Sequence, residues 1–177
     1  TWSSWREAHP ETVVLTTDTG YLRSYGQDPY GSYTPLSGYY ESERLLFDVL
    51  HTDDRLSRKE VVIGVKHGED RLAVPKAVVR ERQAVRATVG GEPVVVLHDP
   101  DLDEGRAFLE RLLSGDTVLS PTGQPGRFRD DATGSLWDAS GTAVAGPLAG
   151  ETLPRLLSLD VMWFAWAAFY PQTALIS

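Results

Sequence analysis

The chain has 177 residues, of which 41% are hydrophobic, and it carries a formal net charge of -8 at pH 7. This length and apolar content suffice for one hydrophobic core, and the acidic balance argues against nucleic acid or an anionic membrane as the main partner, because both bind cationic protein surfaces. The sequence has no cysteine, which excludes disulfides and thiolate chemistry within these residues, and no apolar run reaches the roughly 18 residues of a membrane span.

A motif with two tryptophans, called here the tryptophan motif, occurs near both ends of the sequence. Its members recur with the same offset of about 161 positions. The pairs are Trp2 and Trp163, Trp5 and Trp166, Pro10 and Pro171, and Thr12 and Thr173. The repeat predicts a piece of a longer tandem protein in which each unit ends with this motif. Residues 1–16 are then the tail of a preceding repeat unit, residues 17–60 a connector, and residues 61–177 a β-rich repeat unit.

The N-terminal residues predict a short helix followed by a strand. Residues 2–9 place both tryptophans on one helical stripe, and Pro10 ends the helix because a residue before proline avoids the α region. The segment Val13–Thr16 is apolar and β-branched, which predicts a strand.

Tyrosine, glycine, serine and proline dominate residues 21–40, which contain six of the seven tyrosines. This stretch has few aliphatic residues, so one interpretation is an extended connector. The other is a ligand surface that includes Tyr25, Tyr30 and Tyr33, because tyrosine offers a large amphipathic contact area at a small cost in entropy.

From residue 61 onward, the sequence predicts successive β hairpins. Val61–Val65 and Arg71–Val74 flank a polar turn, and Ala84–Val89 and Pro93–Leu97 flank Gly90-Gly91, where glycine accepts a positive φ. The further predicted strands are Arg106–Leu113, Thr117–Ser120, Arg127–Arg129, Ser135–Trp137 and Thr142–Ala145. Within the first of these, Phe108, Leu109, Leu112 and Leu113 would equally form one helical face, and the strand is preferred.

The end of the chain predicts a closing helix over Val161–Phe169, capped by Ser158 or Asp160. Nearly every side of this helix is apolar, so it should be buried. The predicted fold class is therefore α+β, made mainly of antiparallel β hairpins with short helices at both ends.

An acidic loop after the predicted strand Pro93–Leu97 is the candidate metal site. Asp99, Asp101, Asp103 and Glu110 stand at positions one, three, five and twelve, which is the spacing of carboxylates in calcium loops. The glycine that calcium loops place at position six is at position seven here, and no convincing helix pair flanks the loop. The sequence therefore leaves two interpretations open, a Ca²⁺ site and a solvated acidic loop.

His98 precedes this loop directly. It is a candidate metal ligand or a general base beside a carboxylate. Its position at the end of a strand also suits a structural histidine.

The segment TGSLWDASGTAVAGPLAG (Thr133–Gly150), with MWFAWAAFYPQT after it and DTGYLRSYGQDPYGSY upstream, resembles the repeat signature and connector of a prokaryotic family called domain of unknown function 3179. The resemblance implies two related halves. The resemblance implies that the first half carries a cysteine-containing motif where this chain has Leu97-His98-Asp99-Pro100. The resemblance also implies an upstream cysteine-containing unit as partner and an extracytoplasmic address, secreted or lipid-anchored. It implies no activity that can be transferred.

Two functions remain as hypotheses from the sequence. The first is a non-enzymatic binding, assembly or support domain of an exported tandem-repeat protein, without a cofactor. The alternative is a calcium-like metal-binding domain or a metal-dependent enzyme, with its site at His98 and residues 99–110. The oligomeric state is not predicted.

Overall fold

A computed structural model describes residues 1–26, 39, 42–113 and 115–176. The chain divides into two compact units, Thr1–Asp48 and Val49–Ser177. The repeat-unit boundaries at residues 16 and 60 are not compact-unit boundaries, and they stay predictions. Tyr30 and Tyr33 lie outside the described residues. Tyr25 is exposed in the first unit, with its hydroxyl 2.7 Å from that of Thr19.

The first unit contains the predicted N-terminal helix, α1 (Trp2–Ala8). The Thr1 hydroxyl accepts a hydrogen bond from the Ser4 amide and caps the helix. Residues 13–16, however, form no strand in this chain, where that prediction is wrong. A strand needs hydrogen bonds from a neighbouring strand, which apolar β-branched sequence alone does not supply.

The second unit contains two helices, α2 (Lys76–Arg82) and α3 (Trp163–Phe169), among its described residues. Its strands, in chain order, are β1 Val61–His67, β2 Asp70–Pro75, β3 Ala84–Val89, β4 Glu92–Asp99, β5 Glu104–Leu109, β6 Arg111–Leu112, β7 Gly115–Asp116, β8 Leu119–Pro121, β9 Arg127–Asp130, β10 Leu136–Asp138, β11 Ala143–Ala145, β12 Leu157–Met162 and β13 Ala174–Leu175. The architecture is α+β, with mostly antiparallel strands and short helices near both ends, which confirms the predicted fold class.

The strands form three larger sheets and one two-stranded pair. The first sheet has the order β12-β1-β2-β13, the second β3-β4-β5 and the third β11-β10-β9-β8, and β6 pairs with β7. Neighbours are antiparallel except β13, which runs parallel to β2 at the edge of the first sheet. No helix among the described residues is long and apolar enough to cross a membrane.

Strand β4 separates two hydrophobic cores. Val94 and Val96 pack in one core with Ile63, whereas Val95 and Leu97 pack in another with Phe108, Trp137 and their neighbours. Successive side chains of a strand point to opposite faces, so this continuous apolar run is buried on both sides. That arrangement fixes the end of β4, and with it His98 and Asp99, inside the unit.

Two further predictions need correction, and one helix was not predicted. The strand predicted over residues 106–113 breaks at Glu110, whose carboxylate turns inward to Arg86 and the Leu119 amide. The closing helix begins at Trp163 rather than Val161, because residues 157–162 pair with β1, so neither Ser158 nor Asp160 caps it. Helix α2 was not predicted, since its seven residues bury only Val79 and give too short an apolar pattern.

Candidate functional site

The predicted site at His98 lies where β4 ends and the loop to β5 begins. The side chain is 7% exposed. Its Nδ1 lies 3.1 Å from the side-chain nitrogen Nε2 of Gln83, and its Nε2 lies 3.4 Å from Oδ1 of Asp103. His98 is thus held between Gln83 and Asp103. Among the carboxylates of the predicted site, Asp103 is the one whose side chain contacts the His98 ring.

Asp103 is neutralised by cations from helix α2. Arg80 donates to it with N···O distances of 2.8 and 2.5 Å, and the Lys76 ammonium lies 3.3 Å away. The Arg80 hydrogen bonds are the main reason that the pKa of Asp103 is well below its usual range, with His98 and Lys76 contributing. This charge pairing was missed from the sequence because α2 itself was missed.

The remaining carboxylates of the acidic loop point to separate partners. Asp99 accepts hydrogen bonds from the Asp101 and Leu102 amides and lies 3.1 Å from Arg106, so it organises the turn. Glu110 is buried, where it receives Arg86. Asp101 is exposed.

The structure therefore brings His98 and Asp103 together and leaves Asp99, Asp101 and Glu110 apart. Across residues 1–26, 39, 42–113 and 115–176, no group of three or more His, Asp or Glu side chains could hold a metal ion. The Ca²⁺ site stays a prediction, and a bound cation would have to displace these ion pairs.

An open cleft of about 580 Å³, which the sequence did not predict, lies beside the end of α3. Its lining includes Arg71, Thr88, Gly90, Tyr170 and Gln172. The volume falls within the usual range for small-molecule pockets. The cleft lies between the turns of two hairpins and the segment that follows α3.

Tyr170 is the chemically distinctive group of this cleft. The Lys66 ammonium and the Arg71 guanidinium lie 5.3 and 5.0 Å from the centre of its ring. A hydrogen bond to Lys66 is the largest cause that lowers the pKa of the Tyr170 phenol, and Arg71 acts in the same direction. The two cations therefore favour the phenolate form of Tyr170.

The second copy of the tryptophan motif closes the second unit. Trp163 and Trp166 are 0% and 3% exposed. The Trp166 indole donates to the Thr173 hydroxyl at 2.9 Å, and the Thr173 amide donates to the Tyr170 carbonyl at 3.0 Å. A methyl group on Gly64 would lie 2.4 Å from the Trp166 ring. The motif is therefore seated on the first sheet at a place where only glycine fits.

The first copy has the same internal geometry. The Trp5 indole donates to the Thr12 hydroxyl at 3.0 Å, and the Thr12 amide donates to the His9 carbonyl at 3.1 Å. The residue that ends the helix has φ and ψ of -135° and 70° at His9, against -130° and 68° at Tyr170. The aromatic pairs correspond too, with ring centroids 4.2 Å apart for Trp5 and His9 and 4.5 Å for Trp166 and Tyr170.

The two copies differ in burial. Trp2 and Trp5 are 51% and 39% exposed, and α1 has no buried residue. The same local hydrogen bonds therefore stabilise a motif whose apolar rings are covered in one copy and open in the other.

The segment Thr133–Gly150, which carries the family resemblance, is held by hydrogen bonds and close contacts within itself and to the residues before it. Asp130, which is buried, accepts from the Val118 and Thr133 amides and from the Thr133 hydroxyl. The Ser135 hydroxyl accepts from the Leu148 amide at 3.0 Å. A methyl group on Gly146 would lie 2.8 Å from the Ser135 Cα. These residues fix the third sheet and its loops.

Comparison with known protein families shows the family of the chain. A family model matches residues 1–173, and the chain belongs to that family, described as Protein of unknown function (DUF3179). The match confirms the resemblance found in the sequence. No match to the chain was found among curated proteins or among solved structures.

Proposed function

We propose that this chain is a non-enzymatic assembly domain of an exported tandem-repeat protein, and that its residues 1–16 complete the unit that precedes it. One observation carries the proposal. The tryptophan motif occurs twice with the same internal hydrogen bonds, and the second copy is seated on a sheet while the first exposes its rings.

The exposed copy favours association because of what it would bury. The Thr12 hydroxyl already satisfies the Trp5 indole N–H, so the ring presents an apolar face that needs no further polar partner. Fully burying a large apolar side chain is worth about 1.5–3 kcal/mol. Trp2, Trp5, Val13, Val14 and Leu15 are all exposed, and exposed apolar residues concentrated in one short segment favour a protein contact site.

The charges around His98 agree with a structural role for the acidic loop. Asp103, Asp99 and Glu110 each have an arginine partner, and His98 is largely shielded from solvent. A general base needs access to a substrate proton, whereas the pairs of Asp103 with Arg80 and Lys76 tie the loop to α2. The exported address follows from the family resemblance, and it is tested by locating the protein in cells that express it with its natural N-terminal region.

The test compares two proteins: this chain, and the longer protein that includes the residues preceding Thr1 in its reading frame. Trp166→Ala should destabilise both by about 3–5 kcal/mol, as large-to-small core substitutions do. Trp5→Ala should change the free energy of unfolding of this chain by no more than about 0.5 kcal/mol, as substitutions of exposed residues do. In the longer protein it should cost at least about 2 kcal/mol, because the ring would be buried there.

Thermal and denaturant unfolding, followed by circular dichroism, measure these differences. The matched pair Thr12→Val and Thr173→Val should show the same contrast with smaller losses of stability. Thr173→Val should destabilise both proteins, and Thr12→Val only the longer one. If Trp5→Ala is silent in the longer protein, the proposed association with a preceding unit is wrong.

A further inference from the structure

We propose that Val13–Leu15 adds as a parallel edge strand to the preceding unit, beside the strand of that unit that corresponds to β2. The inference rests on the proposed function, because it presumes a preceding unit. It goes further by naming the kind of contact, its register and the sequence that the partner must have.

The second copy of the motif shows how the contact is made. Directly after Thr173, the chain enters β13 and runs parallel to β2, with Ala174 opposite Leu72 and Leu175 opposite Ala73. The Ile176 amide then donates to the Ala73 carbonyl at 3.0 Å. The motif therefore ends in a strand that extends the sheet on which its tryptophans are seated.

The first copy has the same continuation, but no strand pairs with it among the residues that the structure describes. The offset of the repeat places Val13, Val14 and Leu15 at the positions of Ala174, Leu175 and Ile176. Val13 and Leu15 are 93% and 97% exposed. The residue that ends the helix has nearly the same dihedral angles in both copies, so the chain turns out of the last helical turn in the same way.

The second copy also shows what the partner must offer. The preceding unit needs a two-stranded antiparallel hairpin like β1 and β2, with a free edge on the second strand. The first strand must carry glycine at the position of Gly64, because the Trp5 ring would otherwise meet a side chain, as Trp166 would. The second strand must carry a small residue at the position of Ala73, which packs with Trp163 and Trp166.

A second copy of this chain fits less well than a preceding unit. The edge of β2 is already occupied by β13 of the same chain, and Gly64 is already covered by Trp166. A second copy would have to displace both contacts. A preceding unit closed by Thr1–Leu15 needs no displacement, so we commit to that occupant.

Amide hydrogen exchange, read residue by residue, tests the inference in this chain and in the longer protein. The Leu15 amide, which corresponds to that of Ile176, should exchange at least about 100-fold more slowly in the longer protein than in this chain, because strand hydrogen bonds protect amides from exchange. The Ile176 amide should be protected in both proteins and serves as the internal reference.

Two proline variants probe the direction of the strand. Leu15→Pro removes the amide that should donate to the partner and should lower the melting temperature of the longer protein. Val14→Pro removes the neighbouring amide. Because successive amides of a strand point in opposite directions, this amide should point away from the partner, where edge strands tolerate proline. This variant should have a smaller effect. Neither variant should change the melting temperature of this chain, whose residues 13–16 are not in a sheet.

The outcomes separate this inference from the proposed function. If Trp5→Ala destabilises the longer protein while Leu15 exchanges freely and Leu15→Pro is silent, the strand addition is wrong and the association stands. If Trp5→Ala is also silent, both are wrong. If the Leu15 amide of this chain becomes protected as its concentration rises, a second copy is the occupant and the inference is overturned.

Discussion

The indole of Trp166 lies directly against the backbone of Gly64, so that a single methyl group on the glycine would come within 2.4 Å of the ring. The glycine thereby creates the seat that the closing helix occupies. Trp166 in turn donates to Thr173, which connects the helix to the edge strand β13. One close contact thus links strand β1, helix α3 and the end of the sheet.

We expect Gly64→Ala to destabilise the chain by about 1–3 kcal/mol, because overpacking a filled core forces side chains or backbone to move. Chemical denaturation measures the loss. In a Trp166→Leu background the same glycine substitution should cost less, and the double-mutant cycle gives the coupling. Additive effects of the two substitutions would show that the Trp166 ring and the added methyl group do not compete for space.

Asp103→Asn should lower stability at neutral pH by no more than about 1 kcal/mol, because Asp103 is half exposed and solvent screens its pairs with Arg80 and Lys76. The pKa of Asp103 is lowered in the folded state, mainly by Arg80. Its contribution is therefore present above the carboxylate's unfolded pKa and is lost as the pH falls through the folded value.

Unfolding curves for the wild type and Asp103→Asn should accordingly converge in acid. Asp116→Asn is the matched control, since Asp116 pairs with Arg111 at 3.2 Å on a more exposed surface. A difference for Asp103→Asn that stays constant down to strongly acidic pH would contradict the ion-pair account.

Asp130→Asn should cost about 1–3 kcal/mol, because it weakens hydrogen bonds to a buried carboxylate. Burial opposes ionisation of this group, but the Thr133 hydroxyl and the surrounding amides outweigh it and lower the pKa of Asp130. This stabilisation is likewise present at neutral pH and lost in acid. Asp131→Asn, at the exposed neighbouring residue, provides the control, and equal losses for both variants would refute the assignment.

The phenol of Tyr170 should ionise below its ordinary pKa of 10.0, because Lys66 and Arg71 stabilise the phenolate. Ultraviolet difference titration against Tyr170→Phe isolates this residue from the other six tyrosines. Lys66→Met should raise the pKa of Tyr170 more than Arg71→Met does, since Lys66 is the larger cause. An unchanged titration in Lys66→Met would show that the ammonium does not act on the phenol.

Excess Ca²⁺ should leave the melting temperature unchanged relative to a chelator at the same ionic strength, because Asp99, Asp103 and Glu110 are engaged by arginines. A site filled at 100 times its dissociation constant would instead add about 2.7 kcal/mol. A rise that Asp101→Asn abolishes would establish the calcium site predicted from the spacing of the acids.

Local sequence predicted the hairpins well, because their signals lie within a few residues. Gly90-Gly91 marks the turn between β3 and β4, and both glycines have positive φ. The helix at Trp2–Ala8 was likewise predicted by tryptophan spacing and Pro10. The strand β12 was missed because its pairing with β1 overrides an apolar pattern that also suits a helix.

The candidate site shows the opposite case. Spacing placed four acids as in a calcium loop, but spacing does not include charges that arrive from elsewhere. Arg80 is 23 positions from Asp103, and Arg86 is 24 positions from Glu110. Helix α2 and strand β3 bring these arginines to the acids, and no pattern around the loop itself signals them.

The sequence by itself determined the repeat of the tryptophan motif, the α+β class and the family, because these depend on residue identity and short-range order. Only the tertiary structure decided that one copy of the motif is buried and the other exposed. Burial depends on which surface faces a side chain, and Gly64 reaches Trp166 across about a hundred residues of chain. The two copies therefore share their internal hydrogen bonds, because these are encoded locally. They differ in their environment, because distant strands set it.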